Sequence, residues 1–156
     1  MRRLFPEYLM KLFFLAVLPL LTLLTLTVVL AGNVAAAQTI AVVVHPDVDI
    51  EQLNKDEVKS IFLSEGNSSF KNIIVFDRTD FALKGDFYRH VAGMSMNRLR
   101  AYWAKKVFTG RGRPPKTVAL PEHMALMERT SNLMTYVLAN EVPEGFKVVY
   151  QFEVEE

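Results

Sequence analysis

Residues 73–80 read Ile-Ile-Val-Phe-Asp-Arg-Thr-Asp, an apolar run that becomes polar at Asp77. An apolar run without polar alternation is typical of a strand that is covered on both faces. A helical pattern follows at 81–91, in which Phe81, Leu83, Phe87 and Val91 are expected to face the core. The stretch therefore predicts a buried strand at 73–76, a polar loop at its carboxyl end and then a helix.

The flanking sequence predicts further strands and helices in alternation. The helix of 81–91 should end at Gly93. The remaining predicted elements are a strand at 39–44, a helix after the capping box of Asn54 and Glu57, a helix capped by Ser95, a strand at 117–120, a helix at 121–129 and strands at 133–138 and 146–152. Together they predict one α/β domain with a mixed sheet flanked by helices.

The N-terminal segment 1–37 has the features of a signal peptide. Three basic residues precede an apolar run at 12–30, and the alanines at 35–37 offer small-residue cleavage sites. The run is close to the ~20 residues that span a bilayer, so an uncleaved anchor is the alternative. We expect residues 38–156 to form a periplasmic domain, which is membrane-anchored if the leader is retained.

Composition excludes several functional classes. The chain has no cysteine, which rules out disulfides, thiol chemistry and a cysteine-linked lipid. Without the charged residues of 1–37, the formal charge is about −1, whereas nucleic-acid-binding modules are usually strongly basic. The separated His45, His90 and His123 form no helical metal-ligand pair, and no nucleophile motif or cofactor loop is present. We therefore predict no metal site, no cofactor and no enzymatic activity.

The loop after residues 73–76 is the first candidate binding site, because ligands of open α/β sheets collect at the carboxyl ends of strands. Arg78 can donate two parallel hydrogen bonds to an oxyanion, and the next helix N-terminus adds backbone N–H groups. Asp80 can cap that helix or accept a hydrogen bond from a protonated oxyanion. Lys84 lies one helical turn further on. The alternative is a surface loop in which Arg78 pairs with Asp77 or Asp80.

A second candidate surface is the stretch from Arg98 to Lys116, in which every charged residue is positive. It predicts either a surface that attracts anions or partners, or a solvated basic face above a packed aromatic face. The near-helical spacing of Tyr102, Trp103 and Phe108 favours the second interpretation.

Three segments carry a family resemblance. They are 56–63 (Asp-Glu-Val-Lys-Ser-Ile-Phe-Leu), 101–103 (Ala-Tyr-Trp) running into 107–116 (Val-Phe-Thr-Gly-Arg-Gly-Arg-Pro-Pro-Lys), and 133–137 (Leu-Met-Thr-Tyr-Val). They resemble segments of the periplasmic phosphate-binding protein family of ABC transporters, particularly its short, single-lobe-sized relatives, where 107–116 is similar to V-F-T-G-K-G-x-P-P-K. The resemblance implies the fold of one lobe of a type II periplasmic binding protein.

The same resemblance implies a ligand. Full-length members carry R-x-D-G-S-G-T at the matching strand end, and its arginine, aspartate, serine and threonine contact phosphate. Here Arg78, Thr79 and Asp80 match R-x-D, while 81–84 (Phe-Ala-Leu-Lys) replaces G-S-G-T. The resemblance implies an exported solute-binding protein that holds inorganic phosphate or a similar small anion through Arg78 and Asp80, with a transporter or other envelope protein as partner. Thr79 between them and Lys84 on the next helical turn are predicted as further ligand contacts. The missing glycines and hydroxyls leave an alternative: an extracytoplasmic protein-interaction or sensory accessory module that has lost ligand binding.

Overall fold

The computed structural model describes residues 38–65, 70 and 72–154. These residues belong to one compact unit of the chain. The signal peptide predicted at 1–37 lies outside the described residues. Within the described ranges, no helix is long and apolar enough to cross a membrane.

Strands and helices alternate along the described residues. The elements are β1 (Thr39–Val44), α1 (Lys55–Phe62), β2 (Ile74–Arg78), α2 (Phe81–Ala92), α3 (Met96–Phe108), β3 (Lys116–Val118), α4 (Leu120–Arg129), β4 (Leu133–Leu138), a 3₁₀ turn (Ala139–Glu141) and β5 (Lys147–Glu153). The strands form one mixed sheet in the order β3-β2-β4-β1-β5. Strand β2 is parallel to β3 and β4, whereas β1 is antiparallel to β4 and β5. The predicted α/β fold with a mixed sheet flanked by helices is confirmed.

The sheet is covered on both faces, as the apolar run of β1 predicts. Successive side chains of a strand point to opposite faces. Accordingly, Ile40 and Val42 pack in the larger core with α1, α2 and α3, while Ala41 and Val43 pack in a smaller core with α4. In the larger core Phe87 of α2 stacks on Tyr136 of β4, with ring centroids 3.9 Å apart.

Local capping signals fix the helix ends. Asn54 and Glu57 form the predicted capping box of α1, and Ser95 accepts a hydrogen bond from the Arg98 backbone N–H at the start of α3. Gly93 ends α2 in the left-handed conformation, with φ of 61°, which glycine adopts without steric cost. These three predictions are confirmed. Each depends only on residues within one helical turn of each other, so local sequence is sufficient to predict it.

Two predicted core positions are wrong. Phe81 is 66% exposed and Phe108 is 93% exposed. At about 100° per residue, Phe81 lies about 160° from Leu83 and about 120° from Phe87, and Phe108 lies about 140° from Trp103, which α3 buries. Both rings therefore point away from the core.

Some predicted bounds also differ. The last strand runs from Lys147 to Glu153, and the strand expected at 117–120 is β3 at Lys116–Val118, after which Leu120 begins α4. Strand β2 begins at Ile74 and continues through Arg78. Asp77 and Arg78 are therefore strand residues, and strand geometry decides where their side chains point.

Candidate functional site

One edge of the sheet brings together residues from three neighbouring elements. In the parallel part of the sheet, Arg78 of β2 pairs with Val118 of β3, and Ile74 of β2 pairs with Leu133 of β4. The carboxyl ends of β2, β3 and β4 therefore meet at the same edge. Arg78 ends β2, His123 lies in the helix after β3, and Glu141 lies in the 3₁₀ turn after β4.

Asp77 faces α2, where hydrogen-bond donors and a lysine surround its carboxylate. It is 1% exposed. Its carboxylate accepts hydrogen bonds from the hydroxyls of Tyr88 and Tyr136, and Lys84 Nζ lies 2.7 Å from Asp77 Oδ2. Burial, followed by the charge of Asp77, raises the pKa of both tyrosines well above the usual value, so both hydroxyls remain protonated donors. The charge of Asp77 is thus balanced by Lys84.

Arg78 faces the opposite side of the sheet, toward α4, and its guanidinium lacks a hydrogen-bond partner for one nitrogen among the described residues. The residue is 4% exposed. Its Nη2 lies 3.7 Å from Glu141 Oε2, which is an ion-pair distance and too long for a hydrogen bond. Arg78 Nη1 and Glu141 Oε2 are both buried without a hydrogen-bond partner among the described residues. Buried polar groups are normally hydrogen-bonded, so this pair indicates a place for a further polar group.

His123 is the third member of this cluster. It is 0% exposed, and its Nε2 lies 2.6 Å from Thr135 Oγ1. Because Thr135 gives its one hydroxyl proton to the Phe76 carbonyl, His123 Nε2 is the donor and Nδ1 carries a lone pair. Nδ1 has no partner among the described residues. Burial and then the nearby Arg78 charge lower the pKa of His123 to about 4.

The four residues predicted as ligand contacts lie in different environments. Asp80 caps α2, since its Oδ1 accepts hydrogen bonds from the backbone N–H groups of Ala82 and Leu83. Thr79 is exposed, and its backbone N–H donates to the Val118 carbonyl. Lys84 pairs with Asp77 on the α2 face, so the sheet separates it from the Arg78 guanidinium.

The residues that the structure places beside Arg78 were missed by the sequence reasoning. Glu141 and His123 come from elements that the sheet order, rather than the sequence, brings next to β2. A signal did exist for the separation of Asp77 and Arg78. Had the strand been extended by two residues, its alternation would have placed them on opposite faces.

Two surface depressions lie beside β5, the strand at one lateral edge of the sheet. A groove of about 790 Å³ runs between residues 51–55 and β5. A smaller one, of about 270 Å³, lies between α2 and the end of β5. Neither is lined by Arg78 or Glu141. The Glu141 side chain beside Arg78 is 32% exposed. No group of side chains suited to hold a metal ion is found within the described residues.

No protein-family model matches the sequence, and a search of curated proteins gives no significant match. Solved structures do match. One is a Clostridium perfringens protein, provisionally assigned as a phosphate ABC transporter substrate-binding protein and containing bound phosphate, with a TM-score of 0.55, 16% identity, and coverage of 73% of this chain and 45% of that chain. Another is a provisionally assigned phosphate-binding protein from Planctomyces limnophilus, with a TM-score of 0.52, 13% identity, and coverage of 73% of this chain and 41% of that chain.

The present chain thus spans less than half the length of these two proteins. At such low identity the likeness shows the fold and leaves the ligand open. Sheet order, helix placement and the structural matches together show the fold of one lobe of a periplasmic binding protein.

Proposed function

We propose that residues 38–156 form a solute-binding-like lobe that holds inorganic phosphate or a related small oxyanion at Arg78. In this proposal the protein is exported by its N-terminal segment, acts by binding rather than catalysis, needs no cofactor and works with an ABC-type transporter. The observation that carries the proposal is the buried guanidinium whose Nη1 has no hydrogen-bond partner among the described residues.

The charges at the strand end support an anion at Arg78. The carboxylate of Asp77 is already neutralised by Lys84, so it offers little to the neighbouring arginine. Among the described residues, Arg78 has a single acidic ion-pair partner, Glu141, at 3.7 Å. A buried cation without hydrogen bonds to its counterion is poorly compensated for its lost hydration. A tetrahedral oxyanion would supply both the charge and an acceptor for Nη1.

Glu141 is the natural competitor of that anion. Its carboxylate occupies the position of an acceptor beside Arg78, yet it makes no hydrogen bond through Oε2. An incoming anion would displace it, and the partly exposed side chain could move into solvent. Like charges repel at short distance, so we expect the unmodified protein to bind anions weakly.

The other predicted contacts have supporting roles in this proposal. Thr79 would offer its exposed hydroxyl next to Arg78. Asp80 would hold the first turn of α2 in place through its two cap hydrogen bonds. Lys84 would keep Asp77 neutralised, so that the Asp77 carboxylate does not repel the anion.

Calorimetric titration with phosphate and with sulfate, up to millimolar concentration, tests the proposal. Glu141→Gln removes the competing charge and should bind about tenfold more tightly than the unmodified protein, since about 1.4 kcal/mol corresponds to that factor. Glu144→Gln is the matched control, because Glu144 is exposed and makes no ion pair with a described residue. Arg78→Gln, once shown to be folded by circular dichroism, should bind neither anion. Absence of heat with both anions in the unmodified protein and in Glu141→Gln would refute the proposal.

One observation favours the alternative function, an extracytoplasmic interaction or sensory module without a ligand. The carboxylate of Glu141 stands where an anion would bind, and it leaves Arg78 with an internal counterion. If the titrations give no heat, this second function becomes the preferred one, and Glu141 is then a permanent replacement for the ligand.

A further inference from the structure

We infer that the end of α3 and the loop that follows it form a docking surface for an anionic lipid bilayer. We call this the Phe108 surface, and it consists of Lys105, Val107, Phe108, Arg111 and Arg113. It is separate from the cluster around Arg78, and the inference does not depend on the proposed solute binding.

The apolar part of the Phe108 surface projects into solvent. Phe108 is 93% exposed and Val107 is 50% exposed. A phenyl ring with so little contact stands out from the surface rather than lining a pocket. A protein partner would need a pocket shaped to receive the ring, whereas the interfacial region of a bilayer accepts projecting aromatic and aliphatic side chains without a matching shape.

The charged part of the surface has no acidic partner within the part of the chain that the structure describes. Lys105, Arg111 and Arg113 are exposed and form no ion pair with any residue that the structure describes. The two neighbouring lysines, Lys106 and Lys116, have partners within the protein. Lys116 lies 3.6 Å from Glu122, and Lys106 Nζ donates to the carbonyls of Leu63 and Ser64.

This charge pattern selects the kind of partner. Between Arg98 and Lys116 the sequence has no acidic residue at all. Three free cations around an exposed aromatic ring complement the negative surface of a bilayer that contains anionic lipid. The same cations would be repelled by a basic partner and gain little from a neutral one.

The backbone holds the basic loop against the end of the helix. The Thr109 N–H donates to the Lys105 carbonyl at 3.0 Å, and the Arg111 N–H donates to the Lys106 carbonyl at 2.9 Å. Arg111 therefore stays within one turn of Phe108. Because the cation and the ring are already placed together, less conformational entropy is lost on docking.

A local fluorescence probe tests the inference in the full chain, which has no cysteine of its own. Ala104 is exposed and lies one helical turn before Phe108. An environment-sensitive dye attached to Ala104→Cys therefore reports insertion of the Phe108 surface into a bilayer. Ala82→Cys, exposed beside Phe81, is the matched control away from the cations. Each labelled chain is reconstituted into vesicles of phosphatidylcholine alone or of phosphatidylcholine mixed with phosphatidylglycerol. Because both labels share the same N-terminal segment, the difference between them reports the Phe108 surface alone.

The dye at position 104 should shift to the blue in phosphatidylglycerol vesicles, and added salt should reverse the shift. The dye at position 82 should not respond. Combined Arg111→Gln and Arg113→Gln should weaken the association roughly 25-fold, since each basic residue near an anionic surface is worth about fivefold. Phe108→Ser should reduce the shift as well. The inference would be overturned if the dye at position 104 showed no blue shift with vesicles, or if the dye at position 82 shifted equally. It would also be overturned if a further sample, a lipid-free extract of membrane proteins, produced the shift at 104 and vesicles did not.

Discussion

Protonation of His123 should make the domain lose stability in weakly acidic solution, and the size of the loss follows from its environment. The ring is fully buried beside Arg78, and its pKa falls from 6.5 to about 4 in the folded state. Between these two values the unfolded chain binds a proton that the folded protein does not. Stability therefore decreases as the pH falls below about 6.5, and the loss is complete below about 4.

The expected magnitude is about 2 kcal/mol at pH 5 relative to pH 7.5, because linkage converts each pKa unit into about 1.4 kcal/mol. Urea unfolding of the unmodified protein and of His123→Gln at the two pH values measures it. Glutamine can still donate to Thr135 but does not titrate. The unmodified protein should lose about 2 kcal/mol more than the variant over this range. His45→Gln, with His123 intact, should keep the full loss.

The same experiment links His123 to the proposed anion. An anion at Arg78 would offset the positive charge that helps to lower the His123 pKa. Phosphate should therefore reduce the stability loss at pH 5 in the unmodified protein, but have no such effect in His123→Gln. Equal pH dependence of the unmodified protein and His123→Gln would refute the reasoning, because His123 would then have the same pKa in both states.

Two further predictions concern lysines with buried partners. Lys84→Met should lower the free energy of unfolding in urea by about 3 kcal/mol, because it leaves the carboxylate of Asp77 buried without a cation. Lys84→Arg should retain most of the stability. Equal losses in both variants would contradict a charge effect. Lys106→Met should cost about 1 kcal/mol, because the ammonium group donates to the Leu63 carbonyl at 2.5 Å. The exposed neighbour variant Lys105→Met should be close to neutral, and a loss as large as that of Lys106→Met would point to helix propensity instead.

The fold could be predicted from the sequence because its signals are local. The capping box at Asn54, the serine cap at Ser95 and the glycine at position 93 each act within one helical turn, and all three are found in the structure. Errors occurred where periodicity was applied to a helix end. Phe81 and Phe108 are the first and last residues of their helices, and each lies more than about 100° around its helix from the buried Leu83 and Phe87 or Trp103, so neither ring belongs to the apolar stripe.

The candidate site could be predicted only in part. Arg78 was identified by its position at a strand end, which local sequence indicates. Its neighbours depend on strand order, which places β4 and β3 on either side of β2. No short-range pattern in the sequence connects Arg78 to Glu141 or His123. The ion pair between Lys84 and Asp77 is likewise not predicted from the sequence, which indicates Lys84 only as a ligand contact.

If the proposed function is correct, the Arg78–Glu141 ion pair stabilises the folded protein and at the same time opposes anion binding. Removing one partner of a buried ion pair typically costs about 3 to 5 kcal/mol, because the other charge stays buried and uncompensated. Glu141 is partly exposed, so the cost of its removal should lie at or below the lower end of that range. The same removal frees the guanidinium for an external anion. If the proposed anion binds at Arg78, the Glu141 carboxylate should weaken its binding by a related amount, because both would compete for the same guanidinium. Glu141 thus partly compensates the buried Arg78 cation and, in the proposed function, lowers the affinity for an external anion.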